Sequence, residues 1–258
     1  MINKRIIFSL LYSNGYFFLS RNFRLQKIGD LNWLMKNYSF HETCQYIDEL
    51  AFLLVTKKPS QEEINRFFKD IDVIKSKVFA PIMIGGYLRK IENIKNCFKN
   101  GADKILINTA SQNKEFINEV SEIYGSQAIT IMVDYKKNAK MDNNVFIDCG
   151  TKNTNLNVEE ILNKIKDYNF GEIILHSMDR DGTGNGCDLD ILKTILNIPN
   201  KPLLLMGGAG KPEHIIETLD NENVYGVVTA NLLNFIGNGL KITREIAIKK
   251  NVKIAKLA

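Results

Sequence analysis

The 258-residue chain has only four cysteines, Cys44, Cys97, Cys149 and Cys187, none in Cys-x-x-Cys spacing, and only three histidines, His41, His176 and His214. That scarcity argues against a zinc framework or a disulfide scaffold, fits a reducing cytoplasm and calls for no metal. Long apolar runs are also missing. The opening residues 1–11 imitate a signal peptide, but Ser13, Asn14 and Gly15 interrupt the run and no Ala-x-Ala cleavage site follows. No stretch approaches the roughly 18 apolar residues of a membrane span, so the opening reads as a buried first strand. Nor does charge of one sign accumulate: 34 Lys+Arg against 29 Asp+Glu leave +5, without a basic cluster. A nucleic-acid surface and a membrane contact are therefore not expected, and the expected location is the cytoplasm. What remains is 45% hydrophobic and 24% charged residues, the balance of a globular chain able to bury a sizeable core.

Eight short apolar runs alternate with amphipathic segments, at residues 5–10, 49–54, 81–85, 104–107, 128–133, 172–176, 202–206 and 224–228. Near-continuous apolarity over so few residues is what a parallel strand covered on both faces needs. Between the runs lie helix signals: Ser60 and Glu63 have capping-box spacing, Gly101 and Gly125 stop helices, and Pro212 sits where a first turn tolerates proline. Residues 135–148, polar and rich in Lys and Asn, predict a hairpin insertion after the fifth run. Eight strand–helix units in this length predict a single-domain α/β fold over residues 1–258, a TIM (βα)8 barrel.

A coarser repeat is present as well. At an offset of 123 residues the run from Arg5 overlies the run from Ala128, and Glu49 overlies Glu172. An offset of 122 lays Gly85-Gly86 over Gly207-Gly208, and Asn108-Thr109 over Ala230-Asn231. The barrel is thus expected to consist of two duplicated half-barrels. Active sites of such barrels lie at the C-terminal strand ends. There the paired glycine and small polar motifs, Gly85, Gly86, Asn108 and Thr109 in one half and Gly207, Gly208, Ala230 and Asn231 in the other, allow close backbone approach to phosphate. A ligand with a phosphate at each end would suit them; turn glycines are the plain alternative. Asp134, emerging after five apolar residues, is the stronger acid/base candidate, and the loop from Ser177 to Gly184 adds Asp179 and Asp181.

The chain resembles the HisF family, the cyclase subunit of imidazole glycerol phosphate synthase, over essentially its full length. The resemblance rests on Lys4-Arg-Ile-Ile7, Asp48-Glu-Leu50, Gly101-Ala-Asp-Lys104, Ile107-Asn-Thr-Ala110, Tyr124-Gly-Ser-Gln-Ala128, Asp179-Arg-Asp-Gly-Thr183 and Gly207-Gly-Ala-Gly-Lys211. It implies a glutaminase docked beneath the barrel and ammonia passing through to a bis-phosphorylated substrate above. It also implies that Arg5, Glu49, Lys104 and Glu172 ring the floor as the ammonia gate, and that Asp103 faces the glutaminase. A polar ring that merely caps the barrel bottom is the alternative.

Four departures stand out. By the resemblance, the family's catalytic aspartate after strand one falls on Leu11, a lysine on Leu19 and the strand-two aspartate on Leu54, while the second catalytic aspartate survives as Asp134. Tyr87 stands where the family continues with glycine. A leucine carries no proton, so cyclase activity is expected to be lost. The combination resembles the HisF-like branch associated with surface-glycan biosynthesis. The expectation is therefore a barrel that takes ammonia from a HisH-like glutaminase and passes it to a sugar amidotransferase, with no cofactor of its own. Two rivals are a working cyclase of histidine biosynthesis, with Asp134 aided by Asp181 or His176, and a non-enzymatic scaffold for a phosphorylated small molecule.

Overall fold

A computed structural model describes residues 3–38, 44–139, 142–195, 200–230 and 238–255. Twelve strands are found among them: β1 (Arg5–Ser13), β2 (Tyr16–Arg21), β3 (Arg24–Gly29), β4 (Glu49–Leu54), β5 (Ile82–Gly85), β6 (Lys104–Ile107), β7 (Ile129–Lys137), β8 (Asn143–Ile147), β9 (Lys152–Asn157), β10 (Glu172–Ser177), β11 (Leu203–Met206) and β12 (Val224–Thr229). Helices α1 (Leu31–Asn37), α2 (Gln61–Lys75), α3 (Ile91–Lys99), α4 (Lys114–Tyr124), α5 (Val158–Ile165), α6 (Ile191–Thr194), α7 (Pro212–Asp220) and α8 (Gly239–Lys249) lie between or after them. Among the described residues no helix is long and apolar enough to cross a membrane.

Eight of the strands, β1, β4, β5, β6, β7, β10, β11 and β12, pair in parallel in that order, and β12 pairs back onto β1. The sheet is closed, a TIM (βα)8 barrel, and all eight predicted runs fall on its strands. Side chains alternate along each strand, so every second residue points inward. On β7, Thr130, Met132 and Asp134 point inside while Ile129, Ile131 and Val133 join the outer core beneath the helices. On β10 the inward set is Glu172, Ile174 and His176; on β1 it is Arg5, Ile7, Ser9 and Leu11. β7 and β10 thus each supply a floor residue, a middle residue and a mouth residue.

The predicted hairpin after the fifth run is present: β7 runs on into the antiparallel pair β8 and β9. A second hairpin, β2 and β3, extends β1 in the same way. Sequence reading took Ser13-Asn14-Gly15 only as the end of an apolar run, although Asn-Gly is a strong turn signal. Asn14 and Gly15 both have positive φ, 49° and 80°. Each half-barrel thus begins with a long strand followed by a flap, which matches the duplication.

Helix ends follow their local chemistry. The Ser60 hydroxyl caps α2 by accepting from the Glu63 amide, and Pro212 opens α7. The capping box expected at Ser60 is only half made, because the Glu63 carboxylate turns outward from the helix to accept from the Asn14 amide at 2.8 Å and the Thr56 hydroxyl at 2.5 Å. It ties the turn before β2 to α2 instead.

Candidate functional site

The floor is a closed set of charges. Arg5 donates to both Glu49 and Glu172, and Lys104 Nζ reaches Glu49 Oε1 at 2.8 Å and Glu172 Oε1 at 3.2 Å. Thr130 donates a further bond to Glu172 at 2.9 Å. Burial acts to raise the Glu172 pKa, yet Arg5 and Lys104 hold it below the usual carboxylate value. All four residues singled out from sequence are thus brought together. Asp103 lies outside this ring at the start of β6, exposed, and its carboxylate accepts from the Ile82 amide at 2.7 Å.

Above the floor the barrel interior is largely apolar, filled by Ile7, Ala51, Met83, Met132, Ile174 and Leu204, with the buried Ser9 hydroxyl beside Ala51 as a polar exception. Gly85 belongs to this layer: a Cβ there would lie 2.8 Å from the Leu53 side chain, so the glycine serves packing. Only its neighbour Gly86 borders the mouth.

The mouth holds a cavity of about 350 Å³. One wall is apolar, with Leu11, Leu53, Leu106, Met206 and Val228. The other carries Asp134, His176 and Asp181, all buried. Asp134 Oδ1 lies 3.1 Å from His176 Nδ1, and its Oδ2 accepts from Asn108 Nδ2 at 3.2 Å. His176 Nε2 is 3.8 Å from Asp181 Oδ1, an ion-pair rather than a hydrogen-bond distance. Burial alone would lower the His176 pKa, but the bonds and charges of Asp134 and Asp181 outweigh it and push it up to about 9. Burial likewise acts to raise Asp181, and His176, Ser20 and the Phe23 amide together hold it below its ordinary value.

The remaining candidates divide. Gly207, Gly208, Ala230 and Thr109 line the cavity; Asn231 lies outside the described residues. Asn108 also lines it but is engaged by Asp134 and by the Met132 carbonyl, and Thr109 Oγ1 accepts from the Asp148 amide at 3.1 Å. Gly207 and Gly208 have φ of 99° and 100°, so glycine is required there by backbone shape. Tyr87 borders the cavity with φ of 42°, a glycine-like conformation occupied by a bulky side chain. Of the three leucines, Leu11 points into the cavity. Leu54 packs its side chain in the outer core, and the inward neighbour of Leu11 on β4 is Leu53. Leu19 is half-buried in the β2–β3 hairpin opposite Gln26 and does not line the cavity.

Sequence reading missed Phe23 and Ser20. The Phe23 ring sits 4.8 Å from the His176 ring, and its amide donates to Asp181 Oδ2 at 3.0 Å, where the Ser20 hydroxyl also donates. Gly182 makes this contact possible, since a Cβ on it would lie 2.0 Å from the Ser20 carbonyl oxygen and its φ is 65°. Gly182→Ala is expected to push the hairpin off the loop and cost roughly 1 to 3 kcal/mol. A denaturant melt with Phe23 amide exchange as a local readout checks it.

A family described as histidine biosynthesis protein matches residues 34–237. The chain is 42% identical over 248 residues to a protein of Parasynechococcus marenigrum (strain WH8102) named as subunit hisF2 of imidazole glycerol phosphate synthase, covering 96% of this chain and 91% of that one. The chain belongs to the HisF family. Two further members, the HisF subunits of imidazole glycerol phosphate synthase from Methanococcus vannielii and Pelodictyon phaeoclathratiforme, are each 31% identical, with 98% of this chain and 99% of theirs covered.

Proposed function

We propose that this HisF-family barrel receives ammonia from a glutaminase at its floor and passes it through the apolar interior to a separate acceptor enzyme that amidates a sugar, without cyclising a substrate itself. The observation that carries this reading is the contrast between the two ends. The floor keeps its full set of opposed charges, while the mouth has Leu11, not a carboxylate, facing Asp134. Ammonia crosses an apolar passage as a neutral molecule, and the interior layer of Ile7, Met83, Met132 and Leu204 offers it no proton. Acid/base chemistry at the mouth would need two groups at opposite sides of the ligand. A phosphorylated small molecule remains compatible with the glycine motif at Gly207 and Gly208.

A second reading, a cyclase, is supported by Asp134 itself, which is oriented by Asn108 and paired with His176 as a working base would be. The test is an assay of the purified chain with the bis-phosphorylated ribulosyl substrate and ammonium salt, beside a glutaminase-rate assay with a HisH-like partner. The expected result is no detectable cyclisation together with stimulation of the glutaminase. Cyclisation at an ordinary rate overturns the proposal in favour of the cyclase; absence of stimulation leaves only a ligand-binding scaffold. Asp103→Asn keeps an acceptor for the Ile82 amide while removing the charge. It is expected to weaken the glutaminase complex severalfold with little change in melting temperature, read by titration calorimetry.

A further inference from the structure

The β2–β3 hairpin lies over the mouth, and one carboxylate, that of Asp181, takes two of its attachments. Asp181 Oδ2 accepts from the Phe23 amide and the Ser20 hydroxyl, and the Asp181 carbonyl accepts from the Asn22 amide at 2.9 Å. The Asn22 side chain adds bonds to the carbonyls of Met178 and Asp179 at 3.2 and 2.9 Å. The other oxygen of Asp181 faces His176 Nε2, and the opposite nitrogen of the same ring faces Asp134. Two buried carboxylates therefore flank one imidazole, and a phenyl face covers it at cation–π distance. A packed core histidine would need no such surroundings: it would be satisfied by one backbone acceptor and shielded from charge. Here Nε2 makes no hydrogen bond with any described residue.

We propose that His176 is a positioning residue: as an imidazolium it clasps Asp134 of the barrel wall and Asp181 of the loop after β10, and through Asp181 it holds the β2–β3 hairpin closed over the cavity. The charge between the carboxylates keeps them from repelling one another. When the ring is neutral, two carboxylates face each other across it and the Asp181 anchor is weakened. The groups facing the ring are few. From β7 there is Asp134 and from the loop after β10 there is Asp181. The hairpin presents the uncharged Ser20 and Phe23, and the end of β11 presents Met206 and Gly207. The Cys149 thiol, in the turn after β8, faces Asp134 with its pKa pushed up by burial. The His176 pKa is raised from 6.5 to about 9 in this setting. Its contribution to closure is therefore fully present below pH 6.5, declines above that and is gone above about 9.

The proposal stands whichever way the ammonia question falls, because it is read on the isolated full-length chain. With only three histidines in the sequence, ring ¹⁵N resonances assign readily. The experiment follows the His176 ring and the solvent-exchange rate of the Phe23 amide from pH 6 to 10, using the Asn155 amide, whose acceptor is the uncharged Asn153 side chain, as an internal reference. Phe23 protection is expected to fall at least about tenfold relative to Asn155 as pH rises from 6.5 to about 9, and to level off once His176 has titrated. His176→Gln, which keeps a hydrogen-bond donor without the charge, is expected to show the low protection already at pH 6.5 and no titration. Protection that stays flat through the His176 titration, or a His176→Gln chain as protected as the parent at pH 6.5, overturns the proposal. Should the variant not fold, the titration of the parent chain decides alone.

Discussion

Leu11→Asp is expected to raise cyclisation of the bis-phosphorylated ribulosyl substrate by about 10² or more over the parent chain, the usual worth of one positioned acid or base. The reason lies in the order of the barrel. From β1 to β7 there are four steps around eight strands, by way of β4, β5 and β6, so Leu11 and Asp134 face each other across the mouth. A carboxylate at Leu11 would restore a pair with the ligand between its members. It would also sit beside Leu53, its neighbour on β4, which offers it no hydrogen bond. The variant should therefore be less stable by roughly 1 to 3 kcal/mol, the cost of a polar group buried without a partner. Desolvation raises the new carboxyl's pKa above its unfolded value, so the loss of stability is greatest at high pH and shrinks as pH falls and the group protonates. A coupled assay and melts at pH 5 and 8 read both effects. A folded variant with no gain in turnover would show that Leu11 is not what separates this chain from a cyclase.

Arg5→Met is expected to produce the largest loss of stability of any single change at the floor. Arg5 bridges Glu49 and Glu172, whose side chains are only 6% and 7% exposed, and its removal leaves Lys104 alone between two buried carboxylates. Breaking a buried charge pair costs about 3 to 5 kcal/mol, which for a chain of this size lowers the melting temperature by roughly 6 to 20 °C. Adding Glu172→Gln should recover part of the loss, because it removes one of the stranded charges; a double-mutant cycle measures the coupling. The pH dependence has a definite sign. Glu172 is held below its ordinary pKa in the folded chain, so its contribution is present above the unfolded carboxylate pKa and is lost as pH falls through the folded value. If single and double variants melt alike, the ring is not cooperative and its charges act as a plain cap.

The parts of this molecule that sequence reading located are those governed by local pattern. The near-continuous apolar runs of β7 and β10 mark them as strands covered on both faces, and the alternation of a strand then places Thr130, Met132 and Asp134, or Glu172, Ile174 and His176, on the inner face. Contacts between distant loops are another matter. The proximity of Phe23 and Asp181, 158 residues apart, depends on the first flap folding back over the mouth and on Gly182 yielding space to Ser20. Neither follows from a window of neighbouring residues. The same limit explains Leu54: alignment by motif put it at a lost charge, while the pleat of β4 turns Leu53, not Leu54, toward Leu11.

The two flaps carry one more consequence. A closed barrel has no free sheet edge, but among the described residues β3 pairs only with β2 and β9 only with β8, so within them each flap has an unpaired edge. An open edge is a template on which a second chain can add a strand. β3 exposes Arg24 and Lys27 along that edge, and β9 exposes Lys152, Asn153 and Asn155. Lysine and arginine there make edge-to-edge stacking costly, because two copies would bring like charges into register. The chain is therefore protected against self-assembly at the positions where its fold leaves it open, and neutralising Lys27 and Lys152 together would favour aggregates at high concentration.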